Sequence, residues 1–498
     1  MSKRKQKCIV IGAGIAGIAT AIRLRLQGFD TEVFEKNNYP GGKLTAFQKD
    51  GFHFDAGPSL FTEPELVTQL FQLAGENFED HFSYKPVDTS CHYFYPDGSS
   101  LVASTNKNKF TDSLCGIFGE NREMVTSFLE NARISYEKIG TLFLDHSLHV
   151  PTLFPWNKVA EALKHTKKSY LFGNLHDYHL KYFKDPRTIQ LFDRYATYNG
   201  SNPFQAPGML SMIAHLETGK GVYFPRGGMH SITESLYKLA CRLDISFNFN
   251  QSVEKIVVKN GKVSGIKVDK RTEEADIIVS NMDVYYTYRN LLDDNKIAFK
   301  MAAQERSSSA FIFYWGIGKT FHNLGLHNII FSKNYKEEFL HIFTKKQLFN
   351  DPTIYINITS KEQSNLAPAG MENWFVMINT HHHTGENWCE KANIIRKDII
   401  KTINEQLETD ISPLIKVEEI LHPVMIQENT GSYLGSLYGT SSNNRQAAFL
   451  RHPNFSAKTK GLYFAGGSVH PGGGIPLCLR SAAIVEKLIV KNHGNDRT

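Results

Sequence analysis

An α/β fold built around a parallel sheet is predicted by three features of the 498-residue sequence. A β-branched run stops at a glycine-rich turn, a helix-like segment starts from that turn, and a second short apolar run ends in an acid. The first run, Cys8-Ile9-Val10-Ile11, reads as a strand buried on both faces. Gly12, Gly14 and Gly17 follow in G-x-G-x-x-G spacing, with Ala13, Ile15 and Ala16 between them, and lead into a helical segment from Ala16 to Gln27. Gly28 stops that helix, and Thr31-Glu32-Val33-Phe34-Glu35 reads as the second strand.

This order has a specific physical use. Gly12 permits the tight turn, Gly14 lets backbone approach a pyrophosphate, and Gly17 lets the helix pack close to the strand. The helix N-terminus then faces the phosphates. Glu35, with Lys36 beside it, falls 18 residues after Gly17, where an acid accepts hydrogen bonds from ribose hydroxyls. The unit is a Rossmann-type dinucleotide site, and by itself it does not separate FAD from NAD. The next segments favour FAD: Pro40-Gly41-Gly42-Lys43 and Asp55-Ala56-Gly57-Pro58-Ser59 bring further bare backbone to a long, extended cofactor.

The far end of the chain carries a second glycine cluster. Gly461-Leu462-Tyr463-Phe464 reads as a strand entering the loop Ala465 to Gly474, in which Gly466, Gly467 and Ser468 precede His470. Ile475 and Pro476 then open a helix that runs to about Lys491. Proline suits the first helical turn, where its missing N–H would be unpaired anyway. The positive dipole end of that helix would stabilise negative charge on the pyrimidine edge of a reduced flavin.

Composition narrows the remaining classes. Hydrophobic residues make up 41% and charged residues 21%, which describes a core-forming chain. A net charge of +6 is too small to argue for nucleic acid. Six scattered cysteines without a C-x-x-C pair fit a reducing compartment, and the short apolar run after MSKRKQK is not a signal peptide. A cytoplasmic protein is expected, with no spanning helix and with attachment to a membrane surface left open. His381-His382-His383 is read as a polar loop after the strand Phe375–Ile378. Neighbouring strand residues face opposite ways and rarely converge on one metal ion, so no metal site is expected.

The N-terminal series resembles flavin-dependent oxidoreductases related to amine oxidases. Gly461 to Pro476, GLYFAGGSVHPGGGIP, closely resembles the signature of bacterial carotenoid desaturases, the phytoene desaturase family. Tyr223 to Met229 is similar to that family's central glycine motif, and Ala275 to Asp283 to the strand and turn that return to the flavin. The GGSVHPGGGIP form is most similar to enzymes that desaturate carbons 3 and 4 of a 1-hydroxylated end group. This resemblance implies FAD, a long apolar carotenoid substrate, hydride transfer to the flavin and proton loss from the neighbouring carbon. It also implies reoxidation by oxygen or a membrane quinone. A flavin-dependent carotenoid isomerase or an amine-oxidase-like enzyme is the alternative.

Carried over, the resemblance places the pyrophosphate on Gly12 to Gly17 and the adenosine ribose on Glu35. Gly42, Lys43, Gly57, Pro58 and Ser59 would line the ribityl and isoalloxazine path, and Val253 would meet the adenine. Gly466, Gly467 and Ser468 would approach the ribityl phosphate, with Gly474, Ile475 and Pro476 at the flavin ring. Lys43 stands where the family has arginine and lacks that residue's planar fork. His470 is the weak candidate for proton removal.

The resulting expectation is a discontinuous FAD-binding domain over 1–85, 220–300 and 445–498, interwoven with an α+β substrate domain over 86–219 and 301–444. Asn260-Gly261 predicts a hairpin whose second strand holds Val263, Ile266 and Val268. The segment from Thr152 to Asp185 mixes lysines with Phe154, Trp156, Tyr170, Phe172, Tyr182 and Phe183. It is expected to lie as an amphipathic element on anionic headgroups.

Overall fold

A computed structural model describes residues 5–164, 173–444 and 451–494. Its first sheet is parallel, in the spatial order Leu462–Phe464, Ile277–Ser280, Lys7–Ile11, Asp30–Phe34, Ser246–Asn248. The β-branched run at 8–11 lies in the middle, with Cys8, Ile9 and Val10 fully buried.

One face of the sheet is covered by the helices Ile15–Leu26 and Ile475–His493, which pack against each other. The other face is covered by an antiparallel meander, Val253–Lys259, Lys262–Val268 and Arg271–Glu274. Val253, Ile256, Val263, Ile266 and Val268 meet Ile9, Ile11 and Ile278 there. Each such aliphatic side chain contributes roughly 1.5–3 kcal/mol on burial. The predicted hairpin is present: Asn260 and Gly261 both have positive φ, 50° and 72°, as a type I′ turn requires.

The second sheet has seven strands, ordered Ile415–Leu421, Ser309–Ile317, Glu372–Thr380, Ile354–Ile358, His327–Ile330, Thr89–Phe94, Ser100–Ser104. All neighbours are antiparallel except His327–Ile330 beside Thr89–Phe94. The strand Ser309–Ile317, second in that order, is buried along its whole length because both faces are covered. Phe311, Phe313 and Trp315 pack under the helix Trp388–Leu407. Ile312 and Tyr314, pointing the other way, line a cavity.

The strand before the three histidines is longer than expected, Glu372 to Thr380, and the expected loop follows it, with His381 buried against Trp388. One sequence expectation changes. The Thr152–Asp185 segment is not one amphipathic face. Trp156 is 62% exposed on the helix Trp156–Lys164, but Phe183 is buried against Phe128 and Phe192. Lys167, Lys168, Tyr170, Leu171 and Phe172 lie outside the described residues. Among the described residues, no helix is long and apolar enough to cross a membrane.

Candidate functional site

A cavity of about 1080 Å³ opens at the C-terminal ends of the parallel strands, the place where open α/β sheets bind ligands. Gly12, Glu35, Asn281 and Gly466, each one or two residues past a strand, line it. It continues between the two sheets, where Phe143, Ile213, Ile312, Phe375 and Met377 make its wall apolar.

The structure brings the sequence-predicted residues from both ends of the chain to this one cavity. Gly12, Gly14, Ile15, Ala16, Glu35, Lys36, Gly42, Lys43, Gly57, Pro58, Ser59 and Val253 line it from the N-terminal side and the meander. Gly466, Gly467, Ser468, His470, Gly474, Ile475 and Pro476 line it from the C-terminal side. Ala13 and Gly17 are not part of the lining. Ala13 is buried and donates its N–H to Glu35 Oε2 at 2.8 Å. A Cβ on Gly17 would stand 2.1 Å from the Gly12 carbonyl oxygen, so Gly17 is fixed by helix–strand contact.

Two helices present uncapped N-termini to the cavity. Gly14 and Gly474 are their N-caps, neither offers a side-chain cap, and neither first turn holds an acid. The Gly14 and Gly474 carbonyls accept from Ile18 N–H and Cys478 N–H, which leaves the preceding N–H groups of each first turn for an anionic ligand. At Gly474, with φ 107°, an added Cβ would meet nothing within 4 Å. These bare, dipole-positive edges fit an elongated cofactor carrying a pyrophosphate and an electron-accepting ring.

Charged groups beside the cavity are held by backbone. Glu35, 7% exposed, accepts from Asn37 N–H at 2.9 Å as well as from Ala13. It therefore braces the glycine turn, while its oxygens keep lone pairs for ribose hydroxyls. Lys36 donates to the Glu428 carbonyl at 2.6 Å. Lys43 donates to the Leu437 carbonyl at 2.7 Å, and burial lowers it to about 8 against the opposing pull of Asp283. Ser468 Oγ accepts from Val284 N–H at 3.0 Å.

His470 corrects its own candidacy as a base. It is 4% exposed, its Nε2 donates to the His146 carbonyl at 2.9 Å, and burial lowers it to about 4. A ring that is neutral and gives its proton to a carbonyl acts as a pin between two loops. Among the described residues, no group of three His, Cys, Asp or Glu is placed to hold a metal ion.

Asn281 is the site residue that glycine spacing did not single out. Its Nδ2 donates to the Ala465 carbonyl at 2.9 Å, and its side chain lies against Gly12, Gly14, Gly17 and Gly466. One amide thus packs the two glycine turns together. The available signal was a polar residue immediately after the buried strand Ile277–Ser280.

The family model for flavin containing amine oxidoreductase matches residues 15–312. The chain belongs to the flavin containing amine oxidoreductases. Within them it belongs to the carotenoid desaturase family: a 1-hydroxycarotenoid 3,4-desaturase of Flavobacterium sp. is 49% identical over 97% of this chain and 99% of that protein. Phytoene desaturase of Fusarium fujikuroi is 30% identical over 99% of this chain and 91% of that protein. Among solved structures, an oxidoreductase of Methanosarcina mazei shares the fold with TM-score 0.62 at 18% identity, covering 97% of this chain and all of that one. Cyclohexylamine oxidase of Brevibacterium oxydans gives TM-score 0.62 at 15% identity, over 98% and 99% of the two chains. The protein is an FAD-dependent oxidoreductase.

Proposed function

We propose that this flavoenzyme desaturates an acyclic carotenoid, introducing a double bond between carbons 3 and 4 of a 1-hydroxylated end group. The observation that carries the reading is the end-to-end identity of 49% with an enzyme of that name. An apolar cavity shared by the cofactor turns and the second sheet supports it, because it offers a polyene room beside the redox centre.

FAD would be held with its pyrophosphate at the N-terminus of Ile15–Leu26, its ribose at Glu35 and its ring near Gly474 to Pro476. Bound there, it supplies hydride acceptance, which no protein side chain can do. The chain's own residues would orient the polyene along Ile312, Phe375 and Met377 and keep water from it. The uncapped N-terminus of Ile475–His493 would favour the charge left on the reduced ring. Conjugation in the substrate spreads the developing cation, so a strong protein base is not required. Residues 1–85, 220–300 and 445–498 would form the cofactor unit, and 86–219 with 301–444 the substrate unit.

A polyene of this length partitions into bilayers, and we place the enzyme in the cytoplasm at a membrane surface. Exposed Trp156 and Leu180, together with the exposed Lys158, Lys164, Lys181 and Lys184 of the same stretch of chain, would provide the contact. Oxygen or a membrane quinone would reoxidise the flavin, and nucleic acid is not a partner.

Expression in cells that accumulate defined carotenoids tests the reaction. The product should weigh two hydrogens less than its 1-hydroxylated precursor and absorb at longer wavelength. An isomerised product of unchanged mass, or activity on phytoene alone, would overturn the assignment.

A further inference from the structure

One stretch of the cavity wall is polar where most of the rest is apolar. Arg194 and Glu217, both buried, form an ion pair at 2.9 Å. Tyr195 donates to the second Glu217 oxygen at 3.0 Å, and Tyr198 also bonds this carboxylate. Close enough to feel both charges is His327, 3% exposed, on the strand His327–Ile330.

The bonds around His327 fix its tautomer. Asn357 Nδ2 donates to the Leu326 carbonyl at 3.0 Å, which settles the amide's orientation. The same Nδ2 stands 3.1 Å from His327 Nδ1, so Nδ1 is an acceptor and the ring proton sits on Nε2. Tyr355 Oη, 2.8 Å from Nδ1, therefore donates to it, and Ser59 Oγ donates to Tyr355 Oη at 2.7 Å. Burial lowers His327 to about 4, so the imidazole stays neutral. Nε2–H is left buried without an acceptor, and so is Arg194 Nε–H. Buried donors are rarely left unpaired, because desolvation is then uncompensated.

We infer that His327, with Arg194 beside it, keeps these N–H groups for the oxygen of the substrate's C1 hydroxyl and so determines specificity for a hydroxylated polyene end. The inference rests on the desaturase reading above and deepens it. A single carbon separates C1 from C3, so an anchor for the hydroxyl must stand close to the reacting bond. His327 meets that requirement: two hydrogen bonds link it to Ser59, on the proposed flavin path. An end group without oxygen leaves both donors unpaired, and a site built that way rejects it.

The test uses full-length, FAD-loaded enzyme and two acyclic carotenoids that differ only in the C1 hydroxyl. The parent should prefer the hydroxylated one in kcat/KM by at least about tenfold. His327→Phe should slow that substrate alone and bring the preference to within about twofold of unity. Tyr355→Phe, which keeps the imidazole but releases its tautomer, should erase part of the preference. Flavin content is measured in each sample, and Tyr355→Phe decides the matter if His327→Phe loses its flavin. Equal slowing of both substrates, an unchanged preference, or a parent that does not discriminate overturns the role of His327 while the desaturase reading stands. A parent that desaturates neither substrate overturns both.

Discussion

Gly14→Ala separates two reasons for a glycine at the first turn. Gly14 has φ −68° and ψ 168°, which alanine adopts without strain, so any effect is steric. The new Cβ would stand 2.6 Å from Asn281 Oδ1, the end of a side chain that can rotate away. Rotation gives up the bond from Asn281 Nδ2 to the Ala465 carbonyl, a loss of about 1 kcal/mol. If a phosphate sits at this helix N-terminus, as proposed above, the same methyl would also crowd it. Losing one or two charge-assisted hydrogen bonds there costs about 1.5–3 kcal/mol each, so FAD should bind on the order of 10- to 100-fold more weakly or worse. Asn281→Ala removes the clash within the protein and leaves the one with the cofactor. Apoprotein of the parent, both single variants and the double variant would be titrated with FAD by flavin fluorescence, alongside thermal unfolding. The double variant should bind FAD more weakly than Asn281→Ala alone, because both lack the amide and only the double variant carries the methyl. Equal affinity of the double variant and Asn281→Ala would show that Gly14 serves only Asn281, and the phosphate placement would fall.

Gly17→Ala should act on the fold instead. Its Cβ meets the fixed Gly12 carbonyl at 2.1 Å, so the helix must lift off the sheet, costing about 1–3 kcal/mol in urea unfolding; unchanged stability would contradict the packing described. Lys43 should carry a pH signature above 8. Its folded pKa is depressed from 10.5 to about 8, so the burial cost is full below 8 and is relieved as the folded lysine loses a proton that the unfolded chain retains. The stability advantage of Lys43→Met apoprotein should therefore shrink between pH 8 and about 10. FAD affinity should fall over the same window in the parent but not in Lys43→Arg, and parallel curves for the two would refute a charged contact. Reversing Lys158, Lys164 and Lys181 to Glu should reduce sedimentation with anionic vesicles at low salt by about 1 kcal/mol per charge, and equal sedimentation would discard that face.

The parallel sheet and its ligand edge were legible because both depend on local rules. Residues 8–11 are apolar without alternation, and Ile9, Val10 and Ile11 are β-branched, which marks a strand buried on both faces. Glycines at 12, 14 and 17 have few other uses directly after such a strand, and Asn260-Gly261 predicts its own turn. Residues 152–185 misled for the opposite reason: lysines and aromatics in one stretch say nothing about which aromatic turns inward, and Phe183 turned toward Phe128. His470 looked available because a sequence records a titratable ring but not the His146 carbonyl that occupies it.

Local pattern alone determined that this chain folds an α/β nucleotide edge near each terminus, since turn geometry and strand burial are properties of a few consecutive residues. Tertiary packing decided that the two edges close on one cavity, through Asn281, and that Glu35 braces the turn it was expected only to serve. It alone set the neutral His327 tautomer beside Arg194. Burial and side-chain partners 23 to 30 residues away in the chain fix protonation and orientation, and neither can be read from spacing.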